Sequence, residues 1–288
     1  MEGLESAVKT VRGRVVDILG GSAASIYLYG SLALGDFRPG WSDIDILVLT
    51  EKKITEGQAG RLVNLRQALL EEQPGNAYYR RFEGGMLSLD AFRRKEKDRV
   101  VYWGTSGERI TDSYSFDSFS MCELLEGGIL IWGRDVRDRL PRPAFDELRA
   151  DVRRHYEGMR KYARETGRSF YSFGWLLDIS RCLYTLRTGK IIAKTAAGEW
   201  ALKENLCPCA GALARAVEIR KEPARYLRDE GVLDEAQALG GSVQSYADVL
   251  ERELAGWAFA ACPRGLPAAG APLREAAQSG PSPNGPKP

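Results

Sequence analysis

The sequence has one histidine in 288 residues, few cysteines, no long uninterrupted apolar run and no dense basic stripe interleaved with aromatics. Each shortage closes off a class of function. The five cysteines, Cys122, Cys182, Cys207, Cys209 and Cys262, form no even disulfide framework and read as buried, reduced thiols. The Cys-Pro-Cys at 207–209 has no second cysteine pair at zinc spacing, so a zinc site is not expected there. The N-terminal stretch MEGLESAVKTVRGRVVDILGG carries acids and lacks a continuous apolar core, so neither signal peptide nor membrane anchor is expected and a cytoplasmic location follows. Charge is nearly balanced, with 41 basic against 39 acidic residues. Affinity for nucleic acid grows with the number of phosphates neutralised, so no nucleic-acid partner is expected. The run FRRKEKDR at 92–99 reads as a solvated face.

What is present is an ordered alternation of elements. Leu4, Val8, Val11, Val15 and Leu19 recur at helical spacing, and Gly20-Gly21 stops the helix. Ser25–Tyr29 and Asp43–Leu49 read as strands joined by a loop that turns at Pro39-Gly40. Leu62, Leu65, Leu69 and Leu70 mark a helix ending before Pro74, and a third strand is expected over Tyr79–Leu89. From about Phe145 the pattern becomes helical. Phe145, Leu148, Val152, His155 and Met159 share one stripe; Trp175, Ile179, Cys182, Leu183 and Leu186 share another; Val243, Tyr246, Leu250, Leu254 and Trp257 form a third. The expected fold class is α+β: a catalytic domain with a mixed sheet over residues 1–142, an all-α helical bundle over 143–262, and a disordered Pro/Gly/Ala-rich tail over 263–288.

Within the second strand, Asp43 and Asp45 stand one residue apart in the apolar run DIDILVL. Alternation sends Ile44 and Ile46 into the core and puts both acids on the opposite face, about 7 Å apart along the strand. Like charges so placed repel unless a cation lies between them, and no Lys or Arg occurs from 42 to 50. A divalent metal, Mg²⁺ or Mn²⁺, answers this economically, because such ions take one or two carboxylates and complete their shell with water and phosphate.

Gly30-Ser31 follows the first strand directly. Its glycine would let a backbone amide approach an anion, and Ser31 adds a hydroxyl. One strand would then offer phosphate donors and its neighbour metal ligands, as triphosphate chemistry requires. Glu83 adds a third carboxylate, sharing its strand face with Arg81 and Gly85. It reads equally as a metal ligand or proton acceptor and as an edge acid paired with Arg80 or Arg81. Gly84-Gly85 leave room beside it for substrate or backbone. Asp90 reads as the cap of a following helix. His155, on an apolar stripe, reads as a packed residue, and the tryptophans Trp103, Trp132, Trp175, Trp200 and Trp257 as core or cleft wall without assigned roles.

The stretch YGSLALGDFRPGWSDIDILVL resembles the signature of the DNA polymerase beta-like nucleotidyltransferase superfamily, in which Gly-Ser precedes Asp-x-Asp by about a dozen residues. The whole chain is similar to the aminoglycoside adenylyltransferases of the streptomycin/spectinomycin type. FEGG around Glu83 matches their third carboxylate, which the resemblance implies is the catalytic base. SRCLYTLRTGKIIAKTAAGEWAL at 180–202 matches their helical-domain motif, whose basic pair contacts the nucleotide; Arg181 and Lys194 hold those positions. The resemblance implies ATP and Mg²⁺ as cofactors, Gly30 and Ser31 on the phosphates, and Asp43 and Asp45, with Glu83, at the metal. It also implies AMP transfer to a hydroxylated aminoglycoside or aminocyclitol, by a monomer that confers antibiotic resistance.

Two departures shape the substrate. The tryptophan and aspartate that mark streptomycin recognition have no counterpart in YARETGRSFYSFGW, which favours a spectinomycin-like acceptor. The loop from Ser31 to Asp43 is one residue longer than is usual in the family. Asp178 and Glu199 are candidates to line the cleft for a cationic drug, although Asp178 lies one helical turn from Arg181, where an intrahelical ion pair is expected. The rival readings are a nucleotidyltransferase acting on a metabolite or protein hydroxyl, and a nucleotidyltransferase-fold antitoxin that binds a partner toxin.

Overall fold

The computed structural model describes residues 2–105 and 107–259. Cys262 and the tail at 263–288 lie outside the described residues, as does the side chain of Trp257.

The first helix, α1 (Glu2–Leu19), ends at the 20–21 glycines. β1 (Ala23–Leu28) is followed by a single helical turn, α2 (Gly30–Ala33), and a loop that leads into β2 (Ile44–Thr50), antiparallel to β1. α3 (Glu56–Glu72) opens with a capping box: Gln58 N–H donates to the Thr55 hydroxyl while the Gln58 side chain accepts the Thr55 N–H. This helix is the crossover that lets β3 (Phe82–Ser88) lie parallel to β2. β3 begins later than the expected Tyr79, because Asn76 accepts the Tyr78 N–H and winds residues 77–81 into a 3₁₀ turn. Ser88, rather than Asp90, caps α4 (Leu89–Arg94) by accepting the Ala91 N–H; Asp90 sits in the helix's first turn.

β4 (Val100–Gly104) and β5 (Gly107–Thr111) form a hairpin, and α5 (Ser118–Gly127) leads to β6 (Ile129–Gly133), which returns to pair with β1. The sheet order is β5-β4-β3-β2-β1-β6, so β2 and β3, its one parallel pair among the described strands, occupy the centre. The remainder is helical: α6 (Phe145–Tyr162), α7 (Phe170–Thr188), α8 (Lys194–Lys203), α9 (Ala210–Lys221), α10 (Pro223–Tyr226), α11 (Glu230–Gln237) and α12 (Gly240–Phe259). The fold is therefore α+β, a mixed sheet followed by a helical region.

Alternation along β2 decides what the site can contain. Ile44, Ile46 and Val48 pack with Leu4, Val11 and Val15 of α1 and with Leu62 and Leu69 of α3. Leu47 and Leu49 face the other side, with Tyr27, Leu87, Phe92 and Leu124. Asp45 belongs by alternation to this second face, at the end of the strand that borders a cleft. The helical core is built from the expected stripes, including Leu148, Val152, Leu183, Leu186, Val243 and Leu250, and Trp41, Phe119 and Cys122 from the sheet half join it. The two halves thus share apolar contacts. Cys122, Cys182 and Cys207 are buried free thiols and Cys209 is half-buried. Among the described residues no helix is long and apolar enough to cross a membrane.

One buried cation holds α3 to the sheet. Arg66 donates to the Phe82 carbonyl at 2.7 Å and the Gly104 carbonyl at 2.9 Å, and pairs with Glu108 at 2.5 Å. Replacing it by Met would leave two carbonyls and a carboxylate without their partner. We expect Arg66→Met to lower unfolding free energy by about 2–4 kcal/mol in urea titration, more than an exposed pair such as Lys97–Asp112 would lose.

Candidate active site

The site starts from the turn after β1. Tyr29 N–H donates to the Asp45 carbonyl at 3.0 Å, which brings Gly30 against the Asp45 side chain. Gly30 has φ +63°, and a Cβ there would stand 2.0 Å from Asp45 Oδ2, so both backbone conformation and space require glycine. Beside it, Ser31 Oγ is buried without a hydrogen-bond partner. A buried hydroxyl left unpaired is costly unless something arrives to meet it.

Three carboxylates gather next to this turn. Asp45 pairs in register with Glu83 across the parallel β2–β3 ladder, and Asp43 precedes Asp45 on the same face. Burial, then Glu123, Asp43 and Glu83, raise the Asp45 carboxyl well above its ordinary range, with Lys194 opposing. Burial raises Asp43, against the Arg81 guanidinium 3.6 Å away. Burial and then Asp43 push Glu83 up to about 7, with Arg66 and Arg81 opposing. The sequence had offered Arg80 or Arg81 as a partner for Glu83; Arg81 instead pairs with Asp43, and Arg80 is exposed. The room at Gly84 is taken by backbone, since a Cβ there would meet the Ile46 carbonyl at 1.8 Å.

The helical half supplies the opposite wall. Gly30, Ser31, Asp43, Asp45, Asp178, Arg181 and Lys194 line one cavity of about 360 Å³. Arg181 pairs with the buried Glu123 of α5, and its Nε is buried with no partner. Lys194 pairs with Asp178 at 2.9 Å. The close ion pairs of Asp178 and Arg181 are thus each to another element, and the intrahelical interaction expected from the sequence remains as a longer-range attraction, with Arg181 second to Lys194 in lowering the Asp178 carboxyl against burial. A second cavity, of about 480 Å³, opens beside Glu83 and is walled by Tyr102, Tyr114, Phe116 and Trp175. Asp45, Asp117, His155 and Trp175 line both cavities, so the two chambers meet there.

His155 corrects its expected packed role. Its side chain is 42% exposed in the cleft, 3.6 Å from Asp117 and edge-on to the Phe119 ring. Glu199 is not brought to either cavity; it pairs with Lys221 at 2.5 Å on the far side of α8. Sequence reasoning passed over Glu123, although an acid inside the apolar FSMCELL carries the same signal as DIDILVL. Trp175 lies on the cleft wall, Trp103 is fully buried, and Trp132 is 44% exposed.

The donor set suits a hard cation: recessed carboxylates that repel one another, with too little fixed positive charge between them. Among the described residues no three Asp, Glu, His or Cys side chains are grouped to hold an ion alone, so Asp43 and Asp45 would share it with phosphate and water.

Asp117 gives the cleft wall a measurable acid sensitivity. Burial raises its carboxyl, but the His155 side chain 3.6 Å away and the Ser120 N–H, which donates to it at 2.7 Å, outweigh burial and hold the group at about 2, against an ordinary 3.8. A carboxyl depressed on folding stabilises above its unfolded value and loses that contribution as pH falls through its folded one. We expect wild-type melting temperature to drop between about pH 4 and 2, and Asp117→Asn, less stable at neutral pH, to lose less over that interval.

Comparison with known proteins agrees with this arrangement. A family model described as "Nucleotidyltransferase domain" matches residues 8–85, and one described as "Aminoglycoside adenylyltransferase, C-terminal domain" matches residues 144–237. Among curated proteins none matches by sequence. Among solved structures, spectinomycin adenyltransferase AAD(9) from Enterococcus faecialis, crystallised with ATP and spectinomycin, superposes with a TM-score of 0.63 at 16% identity. The alignment covers 86% of this chain and 99% of that one, so the fold is shared along nearly its whole length. With a nucleotidyltransferase model on the sheet half and an adenylyltransferase model on the helical half, the chain belongs to the aminoglycoside adenylyltransferases, enzymes of the nucleotidyltransferase superfamily.

Proposed function

We propose that this enzyme transfers AMP from ATP to a hydroxyl of a spectinomycin-like aminocyclitol or aminoglycoside, depends on Mg²⁺, releases pyrophosphate and so confers resistance. One observation carries the reading. Ser31 and Arg181, each with a buried donor that has no hydrogen-bond partner, line one cavity with Lys194, Asp43 and Asp45, and Glu83 stands in register with Asp45 where the second cavity joins it. Positive and hydrogen-bonding groups suit a triphosphate, and the acids suit the cation that accompanies it. We assign residues 1–142 to the catalytic domain and 143–262 to the helical one, acting as a monomer in the cytoplasm. The near-balanced charge favours a small acceptor over nucleic acid.

In this reading Gly30 N–H and Ser31 Oγ bind the β/γ-phosphates, and Arg181 and Lys194 hold them from the helical side. Asp43 and Asp45, with Glu83 alongside, would hold Mg²⁺, whose chemistry there would be to offset phosphate charge and polarise the phosphoryl group. The Glu83 carboxylate takes the proton of the acceptor hydroxyl, whose oxygen bonds to the α-phosphorus as the bond to the β-phosphate bridging oxygen breaks. Pyrophosphate leaves with its charge met by Arg181 and Lys194. A Glu raised by burial suits a base working near neutral pH. The aromatic chamber beside Glu83, with Asp117 on its wall, fits a cationic ring compound bearing hydroxyls, and the neighbour's bound spectinomycin supports that acceptor class. Asp178 lines the adjoining nucleotide cavity rather than this chamber, and Glu199, paired with Lys221 on the outer side of α8, lines neither, so it is left out of the acceptor site.

The experiment is pyrophosphate release with ATP, Mg²⁺ and a panel including spectinomycin and streptomycin. Spectinomycin-dependent release with little from streptomycin is expected; ATP binding without release on any antibiotic would move the acceptor elsewhere. Glu83→Gln should lower kcat by about 100-fold or more while leaving the ATP dissociation constant within about threefold, because the proton acceptor is removed while Asp43, Asp45 and the phosphate donors are kept. Full activity in that variant would take the base assignment away.

A further inference from the structure

The loop that joins Gly30-Ser31 to Asp43 is fastened to the helical half by a buried carboxylate. Asp36 is 4% exposed and Arg220, on α9, is 3% exposed. Arg220 Nε donates to Asp36 Oδ2 at 3.1 Å, and Nη2 donates to the Asp36 carbonyl at 3.3 Å. The same carboxylate accepts the Thr195 N–H at 3.2 Å and the Thr195 hydroxyl at 2.6 Å. Thr195 is the second residue of α8, whose N-cap, Ala193, offers no side-chain bond. Asp36 therefore caps α8 from 159 residues away, meeting an orphan amide that a Ser or Asp at 193 would meet locally.

Stability alone is a weak reason for such an arrangement, since a buried ion pair gives back much of its attraction as desolvation. Placement is a better one. The Asp36 N–H donates to the Ser31 carbonyl at 2.8 Å, and Lys194 immediately precedes Thr195 on α8. A continuous chain of bonds thus runs from Ser31 through Asp36 to Thr195, the residue beside Lys194, and Trp41, under the Arg220 guanidinium at 5.2 Å, stiffens the same loop. Ser31 and Lys194 line one cavity from opposite halves of the molecule.

We propose that Asp36 is a positioning residue for the nucleotide: by capping α8 across the cleft it fixes Lys194 relative to Gly30-Ser31, so that both halves meet one triphosphate together. The inference rests on the nucleotide reading above but not on the identity of the acceptor. Its contribution comes from pre-organisation, which lowers the ordering cost of binding.

The test measures ATP-Mg²⁺ dissociation constants by calorimetry, without acceptor and well below each melting temperature, for the full chain and for Asp36→Ala, Asp36→Asn, Thr195→Val and Thr195→Ser. Asp36→Ala should weaken ATP binding about tenfold or more, Thr195→Val should weaken it about threefold, and Thr195→Ser should bind as wild type because the hydroxyl is restored. If the Asp36 variants fail to fold, the Thr195 pair decides. Wild-type ATP affinity in Asp36→Asn and Thr195→Val, whatever their melting temperatures, would overturn the proposal and leave a structural clasp only. A wild-type protein that bound no ATP would overturn the nucleotide reading and this inference with it.

Discussion

Like charges held together without enough opposite charge set the terms for the rest of this molecule. Asp45 is fixed beside Asp43 by β2 and beside Glu83 by the parallel register with β3, and Glu123 of α5 stands behind it. Asp45 has little freedom to move away, because Ile44 and Ile46 on either side of it are locked in the core. Arg81 and Lys194, with Arg66 on the Glu83 side, are nearby cations, and each answers only part of the charge. Such a cluster costs stability in the free protein, and under the proposed function a cation arriving with an anionic ligand would restore it.

The same logic explains why the cleft wall is so heavily paired. Arg181 and Lys194 face the cavity but are held by Glu123 and Asp178. Held this way, the cations keep defined positions without collapsing onto Asp43 and Asp45, and the buried Arg181 Nε keeps its hydrogen-bonding capacity unspent. Ordering a long side chain beforehand lowers what binding must supply. The surrounding fold serves this arrangement: α3 makes β2 and β3 parallel, and Trp41, Phe119 and Cys122 bind the helical half to the sheet half through shared apolar contacts.

Much of this was legible in the sequence, for physical reasons. Two acids at alternate positions of an apolar strand can only share a face, and Gly-Ser directly after a strand is where a tight turn can approach them. The helical stripes of α6, α7 and α12 carried the change of architecture at about Phe145. What escaped depended on contacts between distant segments. Periodicity put His155 on a buried stripe, but the stripe's edge opens onto the cleft, where Asp117 meets it. Spacing paired Asp178 with Arg181, yet Glu123 and Lys194 come from other elements and compete successfully. Glu199 shares α8 with Lys194, but it lies on the outer face with Lys221. Arg220 and Asp36, 184 residues apart, carry no local signal at all.

The measurement that bears most directly on the buried acid cluster is ATP affinity with and without a divalent cation, in the wild type and in Asp45→Asn. The expected result is binding that strengthens sharply when Mg²⁺ is added to the wild type, with that dependence largely lost once Asp45 no longer carries charge. Equal ATP affinity in Mg²⁺ and in EDTA, unchanged by Asp45→Asn, would contradict the view that the carboxylates exist to hold a cation against the phosphates.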